Sequence, residues 1–161
     1  MAIRLRTMTA EEYENFYRWS LENHARELID ENGLTREAAL REAEEELTDL
    51  LHGVDHHLMT IEAEGPVGFL WTLHEETEGR RQSFLCDFAI WEPHRRKGYA
   101  AAALALMEQQ AVRDGCQESV LFVANQNKAA QALYEKYGYR IHRPSSWGKY
   151  MIKYLDGSEH D

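Results

Sequence analysis

The sequence predicts a single α+β domain, with a central mixed, mostly antiparallel sheet of about seven strands flanked by about four helices. The chain has 161 residues, 43% of them apolar, which is enough for one hydrophobic core. Segments with alternating apolar residues and segments with helical apolar spacing follow one another in the order β-α-α-β-β-β-α-β-α-β-β. No repeat, low-complexity tract or linker interrupts this order. We therefore expect one domain over residues 1–155 and a polar tail over residues 156–161.

The first third of the chain predicts one strand and two helices. Residues 3–7 alternate between apolar and polar side chains, which is typical of a short strand. Thr9 and Glu12 have the spacing of a capping box, and the apolar stripe that follows them continues until Gly33. Thr35 is placed to cap a second amphipathic helix.

Strands and helices alternate through the rest of the chain. The run 83–91 is almost continuously apolar, which predicts a strand buried on both faces, and Asp87 interrupts it. The polar segment 75–81 predicts a loop before that strand. The predicted elements are strands 57–63, 67–74 and 83–91, helix 99–113, strand 119–123, a helix from Asn125 or Asn127 to Tyr137-Gly138, and strands 139–142 and 148–155.

Negative charge is concentrated in the first part of the chain. Residues 1–64 carry 6 basic and 16 acidic side chains, whereas residues 65–161 carry 12 of each. The acidic part repels phosphates and no basic-aromatic stripe opposes it, so the composition excludes nucleic acid as a partner. The acidic part is either a solvated helix surface or a field that attracts a cationic substrate.

Composition also argues against membrane, secreted and metal-binding classes. No segment approaches the roughly 20 apolar residues that span a bilayer, and no signal-peptide core follows the N-terminus, so we expect a cytoplasmic protein with no membrane partner. Cys86 and Cys116 lack the spacing of metal ligands and are predicted to be buried thiols. His52, His56 and His57 are predicted to be exposed loop residues, and no metal is expected.

The stretch HRRKGYAAAALALMEQQA, residues 94–111, places basic side chains directly before an alanine-rich helix. The first N–H groups of a helix have no partner within it, and the helix dipole adds roughly half a positive charge there. Gly98 allows close approach to the backbone. The pattern predicts either a diphosphate site or an ordinary helix start with exposed basic residues. Because neither G-x-G-x-x-G nor a Walker pattern is present, dinucleotide and Walker-type nucleotide sites are excluded.

The hexamer Arg95-x-x-Gly98-x-Ala100 is followed, after about 30 residues, by Asn127-x-x-Ala130-x-x-Leu133-Tyr134-x-x-x-Gly138-Tyr139. These two motifs resemble the [QR]-x-x-G-x-[GA] loop and the N-x-x-A-x-x-L-Y-x-x-x-G-[FY] signature of the GNAT superfamily, the acyl-CoA-dependent N-acyltransferases. The resemblance covers nearly the whole chain and is strongest over residues 83–142. It implies transfer of the acetyl group of acetyl-CoA to a primary amine by direct attack in a ternary complex.

The resemblance also implies where acetyl-CoA binds. Strands 83–91 and 119–123 are expected to splay apart, so that the pantetheine arm lies along the backbone of the first of them. The diphosphate is expected on the loop and helix start, and Asn127 both caps its helix and contacts CoA. The implied binding residues are Phe88, Ala89, Ile90, Arg95, Arg96, Lys97, Gly98, Tyr99, Ala100, Ala101 and Asn127.

Tyr134 matches the family's proton donor to the leaving thiolate. Asp87 is the candidate general base, because apolar neighbours raise the pKa of a carboxyl group and such groups are often found at functional sites. An equal alternative is that Asp87 is a structural residue, bonded to a backbone N–H or to a tyrosine. Some members of the family carry a glutamate at the position of Phe122, and that candidate is missing here. Glu75 and His74 are weaker candidates for the base.

The implied acceptor is a small-molecule or peptide amine. In this family the first two helices contribute to the acceptor site, and their glutamates in this chain favour a polyamine, an aminoglycoside-like amine or a peptide amine. A homodimer through the last strands is compatible with the sequence. Two further functions stay open, a non-catalytic acyl-CoA-binding module on the same fold and an interaction domain with basic residues at its surface.

Overall fold

The computed structural model describes residues 2–52 and 55–158, and its elements follow the predicted order throughout. The chain divides into two compact units, one of residues 8–56 and the other of residues 1–7 with 57–161. The elements are β1 Arg4–Thr7, α1 Ala10–Asn32, α2 Arg36–Leu51, β2 His56–Glu62, β3 Pro66–Thr77, β4 Arg80–Ile90, α3 Tyr99–Arg113, β5 Glu118–Ala124, α4 Lys128–Lys136, β6 Arg140–Pro144 and β7 Gly148–Tyr154.

Within the described residues, seven strands form one sheet in the order β1-β2-β3-β4-β5-β7-β6. β4 and β5 are parallel, whereas β3 with β4, β5 with β7 and β6 with β7 are antiparallel. A parallel pair needs a long crossover, and α3 supplies it. The prediction of a mixed, mostly antiparallel α+β fold is therefore confirmed.

The connection between β3 and β4 is a tight hairpin, and the prediction of a loop over residues 75–81 was wrong. Only Glu78 and Gly79 form the turn. Both have positive φ, 54° and 80°, as a type I′ turn requires. The polar side chains that suggested a loop instead form cross-strand neighbours, such as Glu76 opposite Arg81.

The parallel ladder between β4 and β5 ends before either strand does. Its last pair is Leu85 with Leu121, and both strands continue beyond it. β4 also contains one extra residue, Cys86, because Leu85 and Asp87 pair with consecutive residues of β3. A bulge of this kind bends the strand that carries it. The predicted splay between strands 4 and 5 is confirmed.

β4 is less buried than its apolar sequence predicted. Only Ser83, Leu85 and Ile90 are buried, and the other residues of the strand are half-buried. The prediction of burial on both faces was wrong, since residues within the ladder, such as Phe84, are half-buried as well as residues beyond it.

The core of the sheet unit lies between the sheet and the helices α3 and α4. Ala103, Leu104 and Met107 of α3 are spaced to face the sheet, and each is at most 1% exposed. Tyr134 is the one buried residue of α4. The sheet contributes Ile61, Val67, Leu70, Leu85, Ile90, Leu121, Val123 and Met151 to this cluster.

Helices α1 and α2 form the other unit, a helical hairpin. The predicted capping box is present, since Glu12 N–H donates to the Thr9 hydroxyl at 3.1 Å and Thr9 N–H donates to the Glu12 carboxylate at 2.9 Å. Gly33, with φ of 67°, ends α1 in the left-handed conformation. The pair His52-Gly53 in the sequence predicts the end of α2. His52 is the C-cap of this helix, and Gly53 lies outside the described residues. None of the helices in the described ranges is long and apolar enough to cross a membrane.

A histidine joins the two helices of the hairpin. His24 of α1 contacts Glu46 of α2 and lies near Glu27 on its own helix. Hydrogen bonds, first with Glu27 and then with Glu46, raise the pKa of His24 to about 9 although burial opposes the rise. His24 is therefore protonated at neutral pH, and part of the glutamate charge of these helices is neutralised internally.

Candidate active site

Beyond Leu85, β4 presents an open strand edge. Phe88, Ala89 and Ile90 pair with β3 on one side, and none of the described β4–β5 pairs reaches them on the other. A free strand edge can bind an extended ligand through backbone hydrogen bonds. The close fit to β3 depends on Gly68, where a Cβ would overlap the carbonyl oxygen of Ala89.

Asp87 lies at the beginning of this edge. Its Oδ1 accepts a hydrogen bond from the backbone N–H of Phe88 at 2.9 Å. Of the two roles that the sequence left open for Asp87, this contact is the one expected of a structural aspartate. It also occupies the Phe88 N–H, so a ligand carbonyl that uses this amide has to displace the carboxylate.

Between β4 and α3 the backbone twice adopts a left-handed conformation. A short 3₁₀ turn, Glu92–His94, is followed by Arg96 with φ of 65° and Gly98 with φ of 81°. A non-glycine residue in this region costs of order 1–3 kcal/mol and is often found at ligand-binding loops. Gly98 is the N-cap of α3, and no described side chain caps the helix. The amides of residues 99–101 therefore lack an intrahelical partner.

The basic side chains of this loop are exposed, and Arg95 has an additional contact. Its Nε donates a hydrogen bond to the carbonyl oxygen of Ile90 at 2.9 Å, which ties the loop to the end of β4. Arg96 and Lys97 are exposed in the same loop, immediately before the uncapped amides of α3. Positive side chains next to a helix N-terminus make a site suited to an anion.

Asn127 caps α4, as one of the two sequence alternatives predicted. Its side-chain oxygen accepts a hydrogen bond from the N–H of Ala130 at 3.1 Å. The cap sets where the helix begins, and Tyr134 follows two turns later on its buried face. The start of the second motif thus has a clear structural role.

Tyr134 is buried, with 8% of its surface exposed. Burial raises the pKa of Tyr134 to about 12, and the negative charge of Asp87 adds to the rise. The phenol is therefore fully protonated at neutral pH. The charge of Asp87 thus acts on Tyr134, although the two candidates lie far apart in sequence.

Tyr139 belongs to a buried polar network that sequence reasoning missed. Its ring packs edge-on against Tyr134 with centroids 5.8 Å apart. Its hydroxyl bonds the Ser119 hydroxyl at 2.7 Å and donates to Glu108 at 3.2 Å, and Lys153 donates to the same carboxylate at 2.7 Å. Burial and the Glu108 charge raise the pKa of Tyr139 well above its usual value. In the sequence, the only sign that Tyr139 is important was its place at the end of the second motif.

An aromatic cluster surrounds Phe122, the position where some members of the family carry glutamate. Its ring lies 4.4 Å from that of Trp147 and 5.0 Å from that of Tyr150. The guanidinium of Arg143 stacks on Tyr150 at 4.6 Å. Gly148 makes room for this packing, since a Cβ there would overlap the Phe122 ring. Phe122 thus has an apolar packing role.

The remaining sequence candidates lie elsewhere or have other partners. His74 is 2% exposed and bonds Asp114 at the far end of α3, and Glu75 accepts a hydrogen bond from Gln82. Cys116 is buried as predicted, whereas Cys86 is half-buried. Burial, followed by the charge of Asp87, raises the pKa of the Cys86 thiol to about 12, so it is not a thiolate at neutral pH.

The arrangement suits an elongated thioester that carries amides in its arm and a diphosphate beyond them. The open edge of β4 offers backbone groups to the amides, and the uncapped start of α3 offers N–H groups to the diphosphate. Both features lie on one continuous stretch of chain from Phe88 to Ala101.

The comparisons with known proteins agree with this geometry. Residues 10–139 match the model of the acetyltransferase (GNAT) family. The chain belongs to this family. It is 32% identical over 146 residues to YycN of Bacillus subtilis, an uncharacterized N-acetyltransferase, with 87% of this chain and 94% of YycN covered. It is 30% identical over 147 residues to YdgE of the same organism, with 88% and 94% covered.

Solved structures show the same fold. The crystal structure of YycN superposes with a TM-score of 0.81 at 30% identity, covering 89% of this chain and 96% of YycN. The PaiA N-acetyltransferase of Thermoplasma acidophilum, solved with coenzyme A, has a TM-score of 0.69 at 19% identity over 96% and 99% of the two chains. Spermidine N-acetyltransferase of Vibrio cholerae, solved with CoA and spermine, has a TM-score of 0.68 at 18% identity, with 95% of each chain covered.

Family membership decides the class of reaction. The protein is a GNAT N-acetyltransferase, and its fold implies acetyl-CoA as the cosubstrate. It is therefore an enzyme.

We expect Ala101→Asp to weaken coenzyme A binding roughly tenfold or more, because a carboxylate in the first turn of α3 repels a diphosphate there. The same carboxylate favours the helix dipole by about 0.3–1 kcal/mol, so the fold should keep or gain stability. Isothermal titration with coenzyme A and thermal melting measure the two effects separately. Ala101→Asn is the neutral control, and equal affinity of the Asp and Asn variants would place the diphosphate elsewhere.

Proposed function

We propose that this protein transfers the acetyl group of acetyl-CoA to a cationic primary amine by direct attack in a ternary complex. The observation that carries the proposal is the end of the β4–β5 ladder at Leu85 and Leu121, on the strand that leads into the uncapped start of α3. Acetyl-CoA bound there supplies an activated thioester. Membership of an acetyltransferase family favours this function over a non-catalytic acyl-CoA-binding module or an interaction domain.

In this proposal, two parts of the chain hold acetyl-CoA. The backbone of Phe88, Ala89 and Ile90 binds the pantetheine arm, since these groups form the open strand edge. The amides of residues 98–101 and the side chains of Arg96 and Lys97 bind the diphosphate. Arg95 keeps the two parts in register through its hydrogen bond to Ile90.

Tyr134 supports the departure of the thiolate as a hydrogen-bond donor. Its pKa of about 12 lies above that of a thiol, near 8.5, so complete proton transfer to the sulfur is uphill by roughly 5 kcal/mol. A hydrogen bond that strengthens as charge develops on the sulfur lowers the barrier without that cost. Burial serves this role, because a donor in a dry site interacts more strongly.

Asp87 accepts the proton that the amine has to lose. Presenting a lysine-like amine, with a pKa near 10.4, in its neutral form at pH 7 costs about 4–5 kcal/mol. Asp87 is the carboxylate whose charge is felt by Tyr134, and its contact with the Phe88 amide is one that a bound carbonyl would release. Once released, the carboxylate is available to the attacking amine.

The acidic helices favour a cationic acceptor, although part of their charge is paired. Glu22 bonds Arg36, and Glu27 and Glu46 lie against His24. A larger group is exposed, and its excess negative charge attracts polyamines or peptide amines. The exposed members include Glu11, Glu14, Glu31, Glu42, Glu44 and Glu45.

Replacement of Tyr134 by Phe should reduce kcat by about 10²–10³-fold, because one donor to the developing charge is lost. The KM for acetyl-CoA should change little, since the contact forms as the thiolate leaves. Release of free thiol under saturating amine gives both parameters. Tyr137→Phe, at the exposed end of the same helix, is the matched control, and a Tyr134→Phe enzyme as fast as this control would remove Tyr134 from the mechanism.

Asp87→Asn keeps an oxygen acceptor for the Phe88 amide but cannot take up a proton. At pH 7 we expect a loss of about 10²–10⁴-fold in kcat with an unchanged melting temperature. The loss should shrink as pH rises towards the pKa of the amine, because free amine then becomes abundant. A loss that is the same at every pH, or a normal rate with a lower melting temperature, would assign Asp87 a purely structural role.

Among acceptors, we expect kcat/KM to be at least tenfold higher for a polyamine than for glutamate, because the acidic helices attract the first and repel the second. The preference should weaken with added salt, which screens exposed charges. A panel of cationic, neutral and anionic amines at two ionic strengths tests this. Preference for the anionic amine would refute the acceptor assignment while leaving the acetyl transfer in place.

A further inference from the structure

Three potential metal ligands meet at the end of α3 opposite Gly98. His57 comes from β2, His74 from β3, and Asp114 directly follows α3. Each can offer one ligand atom, and these atoms lie within 4.8 Å of one another. The His57 and His74 rings have centroids 4.1 Å apart, and His74 Nδ1 lies 2.6 Å from Asp114 Oδ2.

Nothing in the spacing of these residues along the chain predicted this group. His57 was predicted to be an exposed loop residue with no metal role, but it is half-buried in β2. The three residues are separated by 17 and 40 positions, far from the short spacings by which metal motifs are recognised. Only the pairing of the strands and the length of α3 bring them together.

The surroundings favour a bound cation. His74 is 2% exposed, so one of the nitrogen donors is held in a fixed, dry position. Asp114 is the C-cap of α3, where the helix dipole already places a partial negative charge. The carboxylate of Asp114 is unfavourable there unless a cation balances it. Arg81 contacts the carboxylate at Oδ2, at 2.7 Å, so a metal ion has to use the other oxygen or displace this guanidinium.

We propose that His57, His74 and Asp114 bind a divalent transition-metal ion, for which Zn²⁺ is the best match. Two imidazoles and one carboxylate are donors that zinc accepts in a four-coordinate site, with water in the fourth position. To bind zinc, the ligand atoms have to move to about 2.0–2.2 Å from the ion. The two rings are tilted by 33°, so the His57 ring has to turn out of its stack on His74 to share an ion with it.

The ion would serve the fold and not the acetyl transfer. The 15 residues of α3 separate Asp114 from the uncapped helix start by about 22 Å. A metal at this end would fasten β2 and β3 to the end of α3. The site therefore differs in place and role from the one proposed for acetyl-CoA.

The test uses untagged protein stripped with a chelator and then melted with Zn²⁺ or with Mg²⁺, which prefers all-oxygen sites. With Zn²⁺ at about 100 times its Kd, we expect the Tm to rise by roughly 5–10 °C, with one ion bound per chain and no rise with Mg²⁺. Titration with Co²⁺ should give the visible absorption of a tetrahedral nitrogen–oxygen site.

His57→Gln and Asp114→Asn should each weaken Zn²⁺ binding at least about tenfold and abolish the Co²⁺ spectrum. His142→Gln, an exposed histidine on β6, is the matched control and should behave as the wild type. Two variants are used because each removes one ligand from a different element, so loss of folding in one leaves the other as a test. The proposal would be overturned if Zn²⁺ did not raise the Tm of the wild type. It would also be overturned if Zn²⁺ raised the Tm of both ligand variants as much as that of the wild type. Neither outcome depends on the acetyl-transfer activity.

Discussion

The early end of the parallel ladder between β4 and β5 is the constraint on which the rest of the site depends. After Leu85 and Leu121 the strands no longer pair, and the extra residue Cys86 bends β4 at this point. Backbone groups left unpaired in a buried place cost about 1–3 kcal/mol each, so a chain keeps such an edge only where something else can satisfy them. In this protein Asp87 satisfies one of them, the amide of Phe88. The edge from Phe88 to Ile90 has no described partner on β5, and there an extended ligand can add to the strand.

A local concentration of positive charge offsets the acidity of the whole chain. The net charge is −10, which by itself disfavours an anionic ligand. Beyond a Debye length of about 8 Å at physiological salt, that repulsion is largely screened. The uncapped amides of α3 and the exposed cations before Gly98 act at contact distance, where screening is weak. The diphosphate site that we propose therefore depends on short-range attraction.

Burial gives the tyrosines behind this edge different roles. Desolvation and the charge of Asp87 keep the phenol of Tyr134 protonated, as the proposed donor role requires. Tyr139 packs against it and is fixed by Ser119 and Glu108. A polar network that is fully bonded in a low-dielectric interior is rigid, and this rigidity limits the directions in which the Tyr134 ring can move.

The sequence by itself determined the order of the elements, because periodicity and capping are local properties. The bounds of α3, the capping box of α1 and the Asn127 cap of α4 all depend on residues within a few positions of one another. The two motifs, over residues 95–100 and 127–139, likewise identified the family. Local polarity gave a wrong prediction where strands extend into solvent. The polar residues beside the turn at Glu78 and Gly79 belong to strands, although the sequence predicted a loop there.

Only the tertiary structure decided what depends on residues far apart in the chain. The partner of Asp87, its proximity to Tyr134, the aromatic packing of Phe122 and the meeting of His57, His74 and Asp114 all follow from strand register and helix length. The physical reason is that electrostatic and packing energies depend on distance in space. A single sequence reports only distance along the chain.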